Sequence, residues 1–179
     1  MVLRFLIVIL LLLVPSENEE LTMSWNANRK LSWDDFRGPV KDNGAVAVTA
    51  SGITFGFSLQ QKNGKVQGFD ATVEAHFYPE KSWYIKEKGT AHILAHEQLH
   101  FDITELHVRK LRYQISKLRV NSRLKYQLRK LHEEANKELR IMQSEYDEDS
   151  MNSINMIKQT YWNTYVEKEL EKYKEFQSK

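Results

Sequence analysis

The sequence contains no cysteine, and this absence excludes disulfide bonds, thiolate zinc ligands and a cysteine nucleophile. Only 3 prolines and 7 glycines occur in 179 residues, and the hydrophobic fraction of 41% is sufficient for a folded core. Neither sign of charge dominates, because 26 Lys and Arg stand against 24 Asp and Glu, which argues against a nucleic-acid-binding domain. Any metal or acid–base chemistry must therefore use the six histidines, the carboxylates and the tyrosines.

One long hydrophobic run is present, from Phe5 to Val14. A helix needs about 20 residues to span a bilayer, so this run is too short. With Arg4 before it and Pro15 after it, the run is typical of a secretory signal peptide over residues 1–16. We therefore expect an exported protein, periplasmic or secreted, with an uncleaved N-terminal membrane anchor as the alternative. The remaining length supports a single domain over residues 17–179.

Residues 17–80 are predicted to be mostly β. Residues 17–30 are polar and are predicted to be a loose lead-in, and a short capped helical turn follows at Leu31–Phe36. Hydrophobic residues then alternate along two segments, which predicts two strands with one apolar face, formed by Ile53, Phe55, Phe57 and Leu59 and by Phe69, Ala71, Val73, Ala75 and Phe77. Asn63-Gly64 between the segments predicts a hairpin, which needs a helix to cover it.

Residues 81–179 are predicted to be mostly α. Thr90 is a candidate N-cap, and no proline or glycine occurs from Ala91 to Leu118. Apolar residues at helical spacing then form two further stripes, at Leu124, Leu128, Leu131, Ala135, Leu139 and Met142 and at Ile154, Ile157, Tyr161, Tyr165 and Tyr173. The sequence thus predicts an α+β fold, in which a small antiparallel sheet packs on a first helix that two long helices follow.

The first of these helices contains His96-Glu97-Gln98-Leu99-His100, an HExxH pattern. Residues four apart lie on one helical face, so both imidazoles can bind one Zn²⁺, while Glu97 is placed to take a proton from a water that the zinc activates. A fold of the zincin or gluzincin type is therefore expected. The alternative interpretation is that His96 and His100 are ordinary helix histidines.

Helix geometry restricts the third zinc ligand. Asp102 and Glu105 point away from the histidine face, and His107 lies about 10 Å further along the axis than His100. Ile103 stands where the extended HExxHxxGxxH pattern has glycine, which excludes the metzincin arrangement. The third ligand is therefore expected from a later helix.

A set of short motifs is spread along the chain, at Leu31–Gly38, Ser82-Trp83, His96–Ile103 with Glu105, and later Tyr146-Asp147, Ser150–Asn152, Gln159 and Trp162. Together these motifs resemble those of a bacterial family of predicted secreted zinc-dependent proteases, domain of unknown function 922. The resemblance covers about residues 25–166 and implies a zinc peptidase. Its Thr-x-His element is altered, since Asn152 stands at the histidine position.

This departure leaves the third ligand open. An asparagine amide is a poor zinc ligand beside two imidazoles, so Asp147, Glu148 or Asp149 could replace the histidine. Otherwise Asn152 is a weak ligand or the site is degenerate. Tyr146 has two interpretations as well, as a donor to a developing oxyanion or as a core residue.

The sequence as a whole predicts an exported, monomeric zinc metallopeptidase that acts on a peptide or protein and binds no nucleic acid. The alternative is a non-catalytic exported binding or structural module with a weakened zinc site. A third interpretation uses residues 106–132, which contain nine Lys and Arg and no acidic residue. This segment predicts either a weak contact with an anionic surface or a solvated helical face.

Overall fold

The computed structural model describes residues 20–178, and the predicted signal peptide lies outside them. The strands are β1 (Met23–Ser24), β2 (Ala47–Val48), β3 (Ser51–Lys62), β4 (Lys65–Phe77) and β5 (Trp83–Tyr84), and the helices are α1 (Ala91–Ser116), α2 (Leu124–Ser150) and α3 (Met156–Lys172). Short 3-10 turns lie at Trp33–Asp35, Lys86–Lys88 and Lys174–Phe176. The fold is α+β, with small antiparallel sheets and three helices, as predicted. Within residues 20–178 no helix combines the length and hydrophobicity needed to cross a membrane.

The β3–β4 hairpin is the largest β element. Its strands pair from Ser51↔Phe77 to Lys62↔Lys65, and the two turn residues Asn63 and Gly64 have φ of 53° and 73°, as the Asn-Gly pair predicts. β1 pairs with the other side of β4, which gives the order β1-β4-β3.

The prediction that residues 17–30 form a loose lead-in was wrong for the part that the structure describes. Met23 pairs with Phe77 in the sheet, and Trp25 is buried. The indole supplies a large apolar surface, and its Nε1–H donates to Asp102 of α1 at 2.7 Å. Since Trp25 lies 77 residues before Asp102, local hydrophobic spacing gave no indication of this contact.

The helix α1 lies between two hydrophobic clusters. Phe101, Val108 and Leu111 on one side pack in a cluster with the sheet residues Val73 and Phe77. The opposite side carries a second cluster with α2 and α3, formed by Leu99, Ile103, Leu106, Leu139, Met142, Tyr146, Trp162 and Val166. This burial on both sides fixes the position of α1 relative to the sheet and to the other helices.

Most of the predicted apolar stripe of α3 faces outward, and Tyr173 is the member that packs against the second hydrophobic cluster. Ile154 is 76% exposed and Ile157 84%, whereas Trp162 and Val166 are buried. The amphipathic pattern is weak here because α3 carries apolar residues on two faces. Trp162 lies on the inner face of α3, where its ring packs against Tyr146 with 5.6 Å between ring centroids.

The basic segment 106–132 is not one helix, since Lys117–Arg123 separates α1 from α2. Two of its cations are also part of the folded core. Arg109 is buried and donates to Glu105 at 2.8 Å, and Arg112 donates to the backbone oxygens of Val73 and Phe176. These two side chains are therefore structural, and only the other basic residues of the segment remain for an external contact.

Candidate metal centre

The start of α1 places the two histidines of the pattern. The hydroxyl of Thr90 accepts a hydrogen bond from Ile93 N at 3.2 Å, as expected for the predicted N-cap. His96 and His100 follow one turn apart, and both are buried. Their rings face the last turns of α2, where Tyr146 stacks on His96 with 4.5 Å between ring centroids.

Three donor atoms converge between α1 and α2. The Nε2 atoms of His96 and His100 lie 3.3 Å apart. Oδ1 of Asp147 lies 3.2 Å from Nε2 of His96 and 2.9 Å from Nε2 of His100. These three residues form a group that could hold a metal ion. The prediction that a later helix brings a ligand candidate to the histidines agrees with this geometry.

The donor group fits a small tetrahedral cation. An ion about 2.1 Å from each donor sets tetrahedral donors about 3.4 Å apart, close to the three separations observed. Two imidazoles with one carboxylate are also a common ligand set of catalytic zinc sites, which keep their fourth position open. The geometry therefore fits zinc and other small divalent ions that accept tetrahedral coordination.

The charges of the group are mutually stabilising. Burial opposes ionisation of Asp147, but hydrogen bonds from His100 and His96 hold the pKa of its carboxyl well below the usual range. Burial likewise opposes protonation of His100, yet the contact with Asp147 and the charge of Glu97 raise its pKa. A cation at the convergence point would take the place of the imidazolium proton.

Glu97 lies beside the donor group without belonging to it. The residue is 4% exposed, and its carboxylate has no hydrogen-bond partner among residues 20–178. Its backbone oxygen accepts a hydrogen bond from the hydroxyl of Thr49 at 3.2 Å, which links α1 to the segment between β2 and β3. Glu97 is thus a largely buried residue, one position after a candidate ligand, and its carboxylate is free to accept a hydrogen bond.

The other candidate ligands lie elsewhere. The carboxylate of Asp149 accepts from Nε1 of Trp162 at 3.0 Å and pairs with Lys158. Glu148 is exposed. Asn152 is exposed in the turn after α2, has φ of 50°, and makes no side-chain hydrogen bond to either histidine.

Tyr146 is fully buried in the described structure. Its hydroxyl donates to the backbone oxygen of His96 at 3.5 Å, and burial, with the charges of Glu97 and Asp147, raises its pKa. This placement favours a packing role, while the oxyanion-donor role stays a prediction.

The turn after α2 is tied back to α1. Met151, Asn152 and Ser153 all have positive φ, which is unfavourable for residues other than glycine. The ring of His92 contacts the backbone oxygen of Ser153, and Gln159 donates to the backbone oxygen of His92 at 3.3 Å. His92 and Gln159 therefore help to hold the turn that follows Asp147.

A hydrogen-bond chain behind the site was not predicted. Gln98 accepts from Leu31 N at 2.7 Å and donates to Asp102 at 2.9 Å. Asp102 also accepts from Trp25. The available signal was the resemblance itself, which includes Asp102 and the segment that begins at Leu31.

Ser82 and Gly38 connect two further segments of the resemblance. Gly38 N donates to the backbone oxygen of Ser82 at 2.7 Å, and the buried Ser82 hydroxyl accepts from Ala50 N at 2.9 Å. Trp33 stacks on Tyr84 with 4.3 Å between centroids. These contacts support the β2–β5 pair beside the start of α1.

Residues 30–153 match the family model described as bacterial protein of unknown function (DUF922). The match spans most of the chain and includes the three donor residues. The protein belongs to this family. No curated protein and no solved structure was found to match the chain.

Proposed function

We propose that the protein is an exported zinc metallopeptidase of zincin-like, gluzincin-like build, which acts as a monomer on a peptide or protein. The observation that carries this proposal is the convergence of His96, His100 and Asp147 on one point, with donor separations of 2.9–3.3 Å. The family match leaves the activity open, so the chemistry rests on these residues and on Glu97.

Each residue has a distinct role in this proposal. His96, His100 and Asp147 hold the zinc, which when bound supplies Lewis acidity towards a carbonyl oxygen and lowers the pKa of a water to about 7. Glu97 accepts the proton of the attacking water and returns it to the leaving amine. The position of Glu97 next to His96 places its carboxylate within reach of a water at the donor group.

The sheet offers a place for an extended substrate. β3 is an edge of the sheet, and its first residue, Ser51, shares a hydrogen bond of 2.7 Å with Thr104, one turn after His100. A peptide could add to this edge as a further strand, close to α1.

Metal analysis combined with a cleavage assay tests the proposal. We expect one zinc per chain in protein purified without chelator, and cleavage of a peptide library that chelator stops and added zinc restores. Protein without bound metal that also fails to bind added zinc would show the proposal to be wrong.

The alternative, a non-catalytic module with a weakened site, is favoured by one observation, the asparagine at position 152 where the family pattern has histidine. Asn152→His distinguishes the two functions. If Asp147 is the third ligand, the substitution changes zinc affinity little. A large gain in affinity or activity would favour the degenerate module.

A further inference from the structure

A strongly basic surface lies at the end of the molecule where α1 ends and α2 begins. Phe77 packs against Phe101 at 5.8 Å between ring centroids, and Val73, nearer the tip of the β3–β4 hairpin, accepts a hydrogen bond from Arg112 at 3.0 Å. The hairpin therefore runs along α1 towards the C-terminal end of that helix, which brings its tip to this end of the molecule. The basic end, as we name it, consists of eight exposed side chains, Lys62, Lys65, Lys117, Arg119, Arg123, Lys125, Arg129 and Lys130.

These cations are largely unneutralised. Within residues 20–178, Lys130 is the one member of the basic end with an ion-pair partner, Glu134 at 3.5 Å. Lys62 and Lys65 are direct cross-strand partners, and like charges in that position destabilise a hairpin. The fold thus keeps a repulsive pair at the hairpin tip beside other unpaired cations.

Two apolar side chains are exposed among the cations. Val120 is 42% exposed in the connection between the helices, and Tyr126 is 65% exposed in the first turn of α2. Protein surfaces that lie at a lipid–water interface commonly combine basic residues with an exposed aromatic residue, whose ring enters the headgroup layer. Neither residue belongs to the hydrophobic clusters of the fold.

We propose that the basic end docks the protein onto an anionic phospholipid surface. Charge complementarity supplies the attraction, since each Lys or Arg close to such a surface strengthens binding about fivefold. Asp147 lies about 36 Å along α2 from Arg123, so the candidate metal centre lies far from the docked surface. The inference does not depend on the proposed peptidase activity.

Vesicle co-sedimentation of the full chain tests this docking. We expect binding to vesicles of phosphatidylglycerol and phosphatidylcholine, none to phosphatidylcholine alone, and a steep loss of binding as salt increases. The combined variant R119E, R123E and K125E should bind at least about a hundredfold more weakly. Tyr126→Ser should also weaken binding, but it should alter the salt dependence of binding less than the triple charge-reversal variant does.

A matched variant controls for net charge. Lys41, Lys86 and Lys88 are exposed on the other side of the fold, before α1 begins, so K41E, K86E and K88E make the same change in charge away from the basic end. This control should bind vesicles within about threefold of wild type, because these lysines lie far beyond a Debye length from the surface. Equal loss in both variants would contradict the proposal.

A competition experiment separates lipid from other anions. Inorganic polyphosphate and single-stranded DNA at equal charge concentration should displace the protein from vesicles poorly, since they offer no interface for Val120 and Tyr126. Displacement by either polymer at charge equivalence would overturn the assignment to a lipid surface. Unchanged thermal unfolding of all variants shows that binding losses do not reflect unfolding.

Discussion

At the residue scale, Asp147 and Asp149 provide a direct test of the donor group, because both lie in the last turns of α2 but only Asp147 contacts the histidines. Asp147→Asn should weaken zinc binding about a hundredfold or more, since it removes the anionic ligand. Asp149→Asn should change zinc affinity little. Competition with a chromophoric chelator measures both, and equal effects would contradict the assignment.

His107 gives a pH-dependent prediction outside the metal centre. Burial, with the nearby charge of Lys110, lowers its pKa to about 4, so the folded protein holds it neutral. The unfolded chain binds the proton near pH 6.5, so this contribution to stability is complete above pH 6.5 and is lost as pH falls towards 4. Between pH 7 and pH 5 the loss is about 2 kcal/mol.

The variant His107→Gln isolates this contribution. Urea unfolding of wild type and variant at pH 7 and pH 5 should show a smaller fall in stability for the variant. If both proteins lose the same free energy of unfolding between these pH values, His107 is not the group responsible.

Part of the site was predictable from single residues. The relative placement of His96, Glu97 and His100 follows from their spacing within one helix, and this spacing can be read directly from the sequence. Asp147 was one of several candidates, because its contact with His100 joins residues 47 apart and depends on how α2 packs on α1. Local spacing carries no information about such a contact.

At the scale of the elements, Gly38 and Gly56 make a matched pair. A Cβ at Gly38 would lie 2.7 Å from the backbone oxygen of Glu80 and 2.9 Å from that of Ser82, whereas a Cβ at Gly56 meets nothing within 4 Å. Gly38→Ala should lower the free energy of unfolding by about 2 kcal/mol, because backbone must move. Gly56→Ala should be neutral or stabilising. Chemical denaturation measures the free energy of unfolding of both variants. A Gly38→Ala variant as stable as wild type would contradict the close backbone packing at Gly38.

The elements themselves followed closely from the pattern, with two exceptions, which are strand β1 in the segment predicted as a loose lead-in and the inner face of α3. The hairpin was predictable because alternation and Asn63-Gly64 agree. The inner face of α3 was not, because Ile157 and Tyr161 keep helical spacing as well as Trp162 and Val166 do. Contact with Tyr146 decides between the two faces, and that contact is tertiary.

At the scale of the whole molecule, Glu105 and Arg109 connect α1 to the C-terminal segment. Arg109 also donates to the backbone oxygen of Leu170 at 2.8 Å, and the hydroxyl of Ser178 donates to Glu105 at 2.7 Å. Glu105→Ala leaves a buried guanidinium without its carboxylate and should destabilise the fold by about 3 kcal/mol.

The exposed pair Lys130–Glu134 has the same four-residue spacing and serves as the control. Glu134→Ala should leave the unfolding midpoint unchanged, because a solvated ion pair contributes little. If the two substitutions lower the free energy of unfolding equally, burial does not explain the stabilising effect of the Glu105–Arg109 ion pair.

The central claim is that His96, His100 and Asp147 form a catalytic zinc site with Glu97 as its base. The most direct measurement compares zinc content and peptide cleavage in wild type and Glu97→Gln. We expect one zinc per chain in both proteins, chelator-sensitive cleavage by wild type, and activity at least about a hundredfold lower in the variant. Undiminished cleavage by Glu97→Gln, or wild-type protein that binds no zinc, would contradict the claim.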